Sequence, residues 1–90
     1  MLIKVKNVRV VGPNTLRLWF TDGSVGERDF ADELSRGGPV AHPLLDPSFF
    51  AQVFLDYGAP TWPNGYDMAP WALHKDMERE GLLRRAEPVS

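Results

Sequence analysis

Ninety residues carrying a formal net charge of −2 and no cysteine amount to one domain, one that buries too little surface to be very stable unless copies self-associate. The lack of cysteine excludes disulfides, thiolate nucleophiles and cysteine-ligated zinc. No apolar run approaches the roughly 18 residues that cross a bilayer, and residues 1 to 21 lack the apolar core of a signal peptide, so a soluble cytoplasmic chain with no membrane partner is expected.

Ile3-Lys4-Val5-Lys6 alternates as a half-buried strand does, but Val8 and Val10 fall in the opposite phase. One extra residue near Lys6-Asn7 would return them to the same face, which predicts a bulge there. After a loop at Gly12-Pro13-Asn14, Leu16, Leu18 and Phe20 line one face of a second strand, with Arg17, Trp19 and Thr21 on the other. Trp19 is expected beneath later chain or at an interface between copies rather than, as the third alternative, simply half exposed. Asp22-Gly23 is the strongest hairpin signal. The strand after it, Ser24 to Asp29, is poor in apolar residues and contains Gly26, which predicts an edge or solvent-facing position.

Phe30 to Leu34 suits a short helical turn, broken at Arg36-Gly37-Gly38-Pro39. Val40 to Leu45 and Pro47 to Phe50 read as short helices, with Asp46 capping the second. A second hairpin follows: a strand over Gln52 to Asp56, a turn at Asp56-Tyr57-Gly58, and a strand over Ala59 to Trp62. Pro63 stops that strand, Asn64-Gly65 turns the chain, and Asp67 stands where a helix N-cap is wanted. Ala69, Leu73 and Met77 then recur at helical spacing opposite Lys75, Glu78 and Arg79, and Gly81 ends the helix. The fold class expected is α+β: a largely antiparallel sheet of two hairpins, short central helices and a C-terminal helix packed on the sheet. Residues 1–83 form the domain and 84–90 a flexible tail.

Trp62-Pro63-Asn64-Gly65-x-Asp67, followed by Ala69-Pro70 and Leu73, resembles the signature of the DUF2442 family of small bacterial proteins. Leu16-x-Leu18-x-Phe20-x-Asp22-Gly23-Ser24, Asp29 and Leu44-Leu45-Asp46-Pro47 ahead of Phe50 fit the same pattern, so the resemblance covers roughly residues 3 to 75. Two positions depart from it. Trp71 stands where a Glu commonly follows the proline, and His74 where a Tyr is common, so no acidic role at the first position carries over. The resemblance implies a neighbour-encoded partner, a small DUF4160-type protein, in an arrangement like a toxin and antitoxin pair. Some members carry a helix-turn-helix module, for which the stretch after residue 83 is too short.

Three functions are weighed. The first is protein binding through an aromatic patch of Trp62, Tyr66 and Trp71, with Leu82 and Leu83 as a further contact. The same turn residues need no ligand if Trp62 simply locks the last hairpin to the last helix. The second is nucleic-acid contact: residues 1 to 21 hold Lys4, Lys6, Arg9 and Arg17 and no acid, whereas residues 22 to 67 hold eight acids against Arg28 and Arg36. Exposed strand cations are more often solvated positions that discourage edge pairing, and the overall acidity argues against direct duplex binding. The third is a small hydrolase, which would need a pocket joining Asp29, Asp67 and a histidine. Asp22 and Asn64 read as turn residues, and His42 and His74 have no metal-ligand spacing. No catalytic residue, metal or cofactor is expected.

Overall fold

A single inserted residue puts the two out-of-phase halves of the first strand on one face. The computed structural model describes residues 2–86. In it β1 (Val5–Gly12) pairs antiparallel with β2 (Thr15–Phe20). Val5 lies opposite Phe20 and Asn7 opposite Trp19, so Lys6 is the extra residue of a bulge. Val8 and Val10 then face the same side as Leu18 and Leu16. Leu16, Leu18 and Phe20 are all fully buried.

Gly23, at φ 91°, turns the chain into β3 (Ser24–Asp29). Asp22 Oδ1 accepts both the backbone N–H and the hydroxyl of Ser24, which fixes the turn. The expected edge position of β3 is corrected: a last strand, β6 (Arg84–Arg85), pairs with Ser24 and Val25, giving the order β1-β2-β3-β6. Gly26 makes this closure feasible, since a Cβ there would overlap the Leu82 carbonyl. Arg84 and Arg85, expected in a tail over 84–90, therefore belong to the sheet, and residues 87–90 lie outside the described ones.

The central segment covers the inner face of this sheet. It comprises α1 (Ala31–Ser35), a 3-10 turn (His42–Leu45) and α2 (Pro47–Phe50). Asp46 caps α2 by accepting the Ser48 N–H at 3.0 Å. The second hairpin, β4 (Phe54–Asp56) and β5 (Ala59–Thr61), starts later than Gln52 because the Gln52 and Val53 N–H groups still bond to the Phe49 and Phe50 carbonyls. Its turn residues Tyr57 and Gly58 both have positive φ, 50° and 79°, as a two-residue hairpin turn requires. The Val5 N–H donates to the Gly58 carbonyl at 2.9 Å, tying the second hairpin to the first.

The last helix, α3 (Pro70–Arg79), buries Leu73 and Met77. Asp67 does not cap it. The N-cap position falls to Ala69, whose side chain offers no acceptor, and Pro70 sets the start with its fixed φ. Asp67 instead extends the β pairing, opposite Thr61. At the other end Gly81, at φ 72°, lets the Leu82 N–H reach the Met77 carbonyl at 2.9 Å and its own N–H reach that of Glu78 at 3.1 Å, a Schellman closure. The fold is α+β. Its core gathers Phe20, Phe30, Leu34, Leu44, Phe50, Trp62 and Met77 between the sheet and the helices.

Candidate interaction surfaces

The aromatic turn is a fastener. Trp62 is 1% exposed, and its Nε1–H donates to the Phe50 carbonyl at 2.9 Å. Its ring lies 5.5 Å from that of Phe50 and 6.0 Å from that of Tyr66. Asn64 donates from Nδ2 to the Val40 carbonyl at 2.9 Å and accepts the Tyr66 N–H at 3.1 Å. Turn chemistry thus clips the end of β5 to the segment before α2, and Trp62 contributes to the core rather than to any surface.

Tyr66 is half-buried on the rim of a cleft of about 210 Å³ that it shares with Arg28, Glu33, Asp67, Asp76 and Leu73. Burial pushes the Tyr66 phenol up, and the carboxylates of Glu33 and Asp67 push it further. Arg28 is already engaged: both its Nε and Nη2 donate to Glu80 at 3.1 Å, its Nη1 to Glu33 at 3.1 Å, and its guanidinium lies 5.1 Å from the Phe30 ring. Burial pulls its pKa down, but its own bonds to Glu80 and the field of Glu33 hold it above the ordinary value.

The cleft brings in Asp67 but neither Asp29 nor a histidine. Asp29 accepts the Ala31 N–H at 2.9 Å, and His42 Nε2 lies 3.1 Å from the Ser35 carbonyl. His74 stands elsewhere, with Nε2 2.8 Å from Asp22 Oδ2 and its ring edge-on to Phe20 at 5.0 Å. The Ser24 hydroxyl donates to Asp22 Oδ1 at 2.6 Å. This trio is ordered wrongly for nucleophilic catalysis, because the carboxylate, not the imidazole, stands next to the hydroxyl. Burial pushes the Asp22 carboxyl up, but the hydrogen bonds from Ser24 and His74 outweigh it and hold it below its ordinary value. What the trio does is pin the β2–β3 turn to α3.

Two exposed surfaces carry residues singled out from the sequence. The first lies on α3, where Trp71 is 61% exposed in the opening turn. Lys75 and Glu78 follow at helical spacing and are exposed too. Leu82 and Leu83, grouped with Trp71 in the sequence reading, are half-buried against the core.

The second is the outer face of the four-stranded sheet, opposite the core. Arg9, Arg17 and Glu27 stand in one cross-strand row, and Asn7, Trp19, Val25 and Arg84 in the next. Glu27 Oε2 accepts from Arg17 Nε at 2.7 Å and from Arg84 Nη2 at 3.1 Å. Those bonds, Arg84's first and then Arg17's, hold the Glu27 carboxyl below its ordinary value. The Arg17 guanidinium lies 5.8 Å from the Trp19 ring. Of the four N-terminal cations, Arg9 and Arg17 meet, Lys6 occupies the bulge, and the Lys4 stem lies instead against Gly58 in the second hairpin. Sequence reasoning missed Glu27 and Arg84. Glu27 had a signal, since it and Arg17 stand at equal distances from Asp22 in the hairpin. Arg84 had none, because its place depends on where the chain returns after α3.

A known structure shares this fold. The crystal structure of Putative DNA Binding Protein NE0471 from Nitrosomonas europaea matches 91% of this chain at 26% identity, with a TM-score of 0.61. The present chain spans 63% of the length of that protein. No protein-family model matches the chain. No curated protein matches it either. Among the described residues, no helix is long and apolar enough to cross a membrane.

Proposed function

We propose that the chain is a DUF2442-type domain that acts by binding another protein, as the antitoxin-like member of a pair with a small DUF4160-type protein. Trp71 carries this reading. A large aromatic ring left 61% exposed on a helix is the type of rigid, area-rich residue on which binding energy concentrates, and the neighbouring Lys75 and Glu78 supply the polar rim such a residue needs. The choice of partner rests on the resemblance of Trp62-Pro63-Asn64-Gly65-Tyr66-Asp67 to the family signature. On this reading the buried turn sets the position of α3 and does not touch the partner, and no residue acts as a catalyst.

The test is co-expression with a DUF4160-type protein, co-purification, and light scattering of the complex and of this chain alone, which also reports self-association. A complex that Trp71→Ala weakens at least about tenfold, or about 1.4 kcal/mol, is expected. Absence of a complex, or a complex indifferent to Trp71→Ala, counts against the reading.

A second reading, nucleic-acid contact through the basic strands, is favoured by the register of Arg9 with Arg17 and by the name of the Nitrosomonas europaea protein. Its test is retention of labelled single-stranded and duplex DNA over a range of salt concentrations, since phosphate contacts weaken steeply with salt.

A further inference from the structure

The outer face of the four-stranded sheet has a chemistry that α3 lacks. Within β1, β2 and β6 there are Lys6, Arg9, Arg17, Arg84 and Arg85 and not one acid. Arg9, Arg17 and Arg84 share the outer face with Trp19, on neighbouring rows. Arg9 makes none of the ion pairs found among the described residues, and Arg17 and Arg84 share the single carboxylate of Glu27. Asp29, opposite Thr15 at the end of β3, adds a second carboxylate to this face and accepts the Ala31 N–H, so Arg9, Arg17 and Arg84 stand against two acids and the face keeps a net positive charge, beside a half-buried aromatic ring.

We propose that this face binds single-stranded nucleic acid, with phosphates on Arg9, Arg17 and Arg84 and a base packed against the Arg17–Trp19 pair. The inference rests on the nucleic-acid reading above and goes beyond it in naming the strand state and the residues. A duplex fits poorly. Its major groove admits a helix or a two-stranded ribbon, not the face of a four-stranded sheet, and its stacked bases offer no free ring face. A single strand offers both a phosphate backbone for the guanidinium groups and unstacked bases for the aromatic ring. An acidic peptide would satisfy the arginines yet leave the Trp19 ring, 5.8 Å from the Arg17 guanidinium, without a planar partner.

Glu27 is an internal competitor in this arrangement. Its carboxylate occupies the two guanidinium groups that a phosphate would take. Removing its charge frees both arginines while changing almost nothing in shape, so Glu27→Gln tightens binding where a merely structural ion pair would leave it unmoved.

The test is fluorescence anisotropy of a labelled oligothymidylate of about 12 nucleotides titrated with the full chain at several salt concentrations. Three phosphate contacts to a single strand give a slope of log affinity against log salt of about −2, and Arg9→Ala makes it shallower by about 0.7. Trp19→Leu weakens binding severalfold with the slope unchanged, and Glu27→Gln strengthens it severalfold. Circular dichroism confirms that each variant is folded. Equal competition by polyglutamate would overturn the proposal by showing that the face reads charge alone. Binding that survives Arg9→Ala with Arg17→Ala, and ignores Glu27→Gln, would place nucleic acid on another surface and overturn this site while sparing the broader reading. No binding of single strand or duplex at low salt would overturn both.

Discussion

Trp62 and Trp71 flank the same turn-rich stretch and end in opposite environments. Trp62 is 1% exposed with its indole N–H satisfied by the Phe50 carbonyl, whereas Trp71 is 61% exposed in the opening turn of α3, the longest helix among the described residues. The difference lies in what surrounds each residue. Trp62 precedes Pro63 and Asn64-Gly65, which reverse the chain and fold its ring back over α2. Trp71 follows Pro70, which starts α3 and points the next residue away from the face defined by Leu73 and Met77. A dense, idiosyncratic run of residues marks where backbone geometry is demanding. A large residue on the polar side of a helix is left to solvent by the helix's own geometry.

The sharpest way to break this comparison is Trp62→Ala. Removing a buried indole leaves a cavity and takes from the Phe50 carbonyl one of its two hydrogen bonds, the other being from the Val53 N–H, and costs about 3–5 kcal/mol. In a domain whose whole stability is on the order of 5–15 kcal/mol, urea unfolding at neutral pH should show the midpoint collapse. Gly26→Ala comes next. Its Cβ would overlap the Leu82 carbonyl, so β6 must lift off β3, at a cost of about 1–3 kcal/mol. Hydrogen exchange should show the Ala86 N–H, which donates to the Gly23 carbonyl at 2.9 Å, losing protection ahead of the β1–β2 ladder.

These two residues also show what the chain alone discloses. The bulge was legible because Val8 and Val10 break phase with Ile3 and Val5. The cap at Asp46, the Asp22-Gly23 turn and the stop at Gly81 were legible because each acts on its own neighbours. β6 was not, since a two-residue strand has no period, and its pairing follows from a glycine far upstream. Asp67 misled for a different reason: it looks like a cap, but the Asn64-Gly65 turn folds it back beside β5, opposite Thr61. Of the surfaces, Trp71 and the pair Arg9 and Arg17 were named from the chain. Their separation onto two faces, and the burial of Trp62, required the fold.

Acid separates the two faces more gently. Asp22 pins the β2–β3 turn to α3, and Glu27 joins β2 to β6. Both carboxyls are held below their ordinary values of 3.8 and 4.5. A depressed folded-state pKa stabilises fully above the unfolded value and loses that contribution as pH falls through the folded one. Stability should therefore hold from neutral pH to about 5 and decline below the ordinary carboxylate range. Glu27→Gln should flatten part of the decline. A melting temperature that stays level down to pH 3, or falls equally in Glu27→Gln, would show that these ion pairs add nothing.

Trp71→Ala is the smallest change in stability and the most informative. A side chain 61% exposed should alter unfolding by no more than about 0.5 kcal/mol, and removing a large apolar ring from water should leave the monomer at least as soluble. If the urea midpoint instead falls as far as it does for Gly26→Ala, Trp71 is a core residue in solution, covered by another copy of the chain, and light scattering at rising concentration would detect that copy. If the midpoint holds while a partner's affinity drops, folding and binding are carried by different tryptophans, and the two can be varied independently.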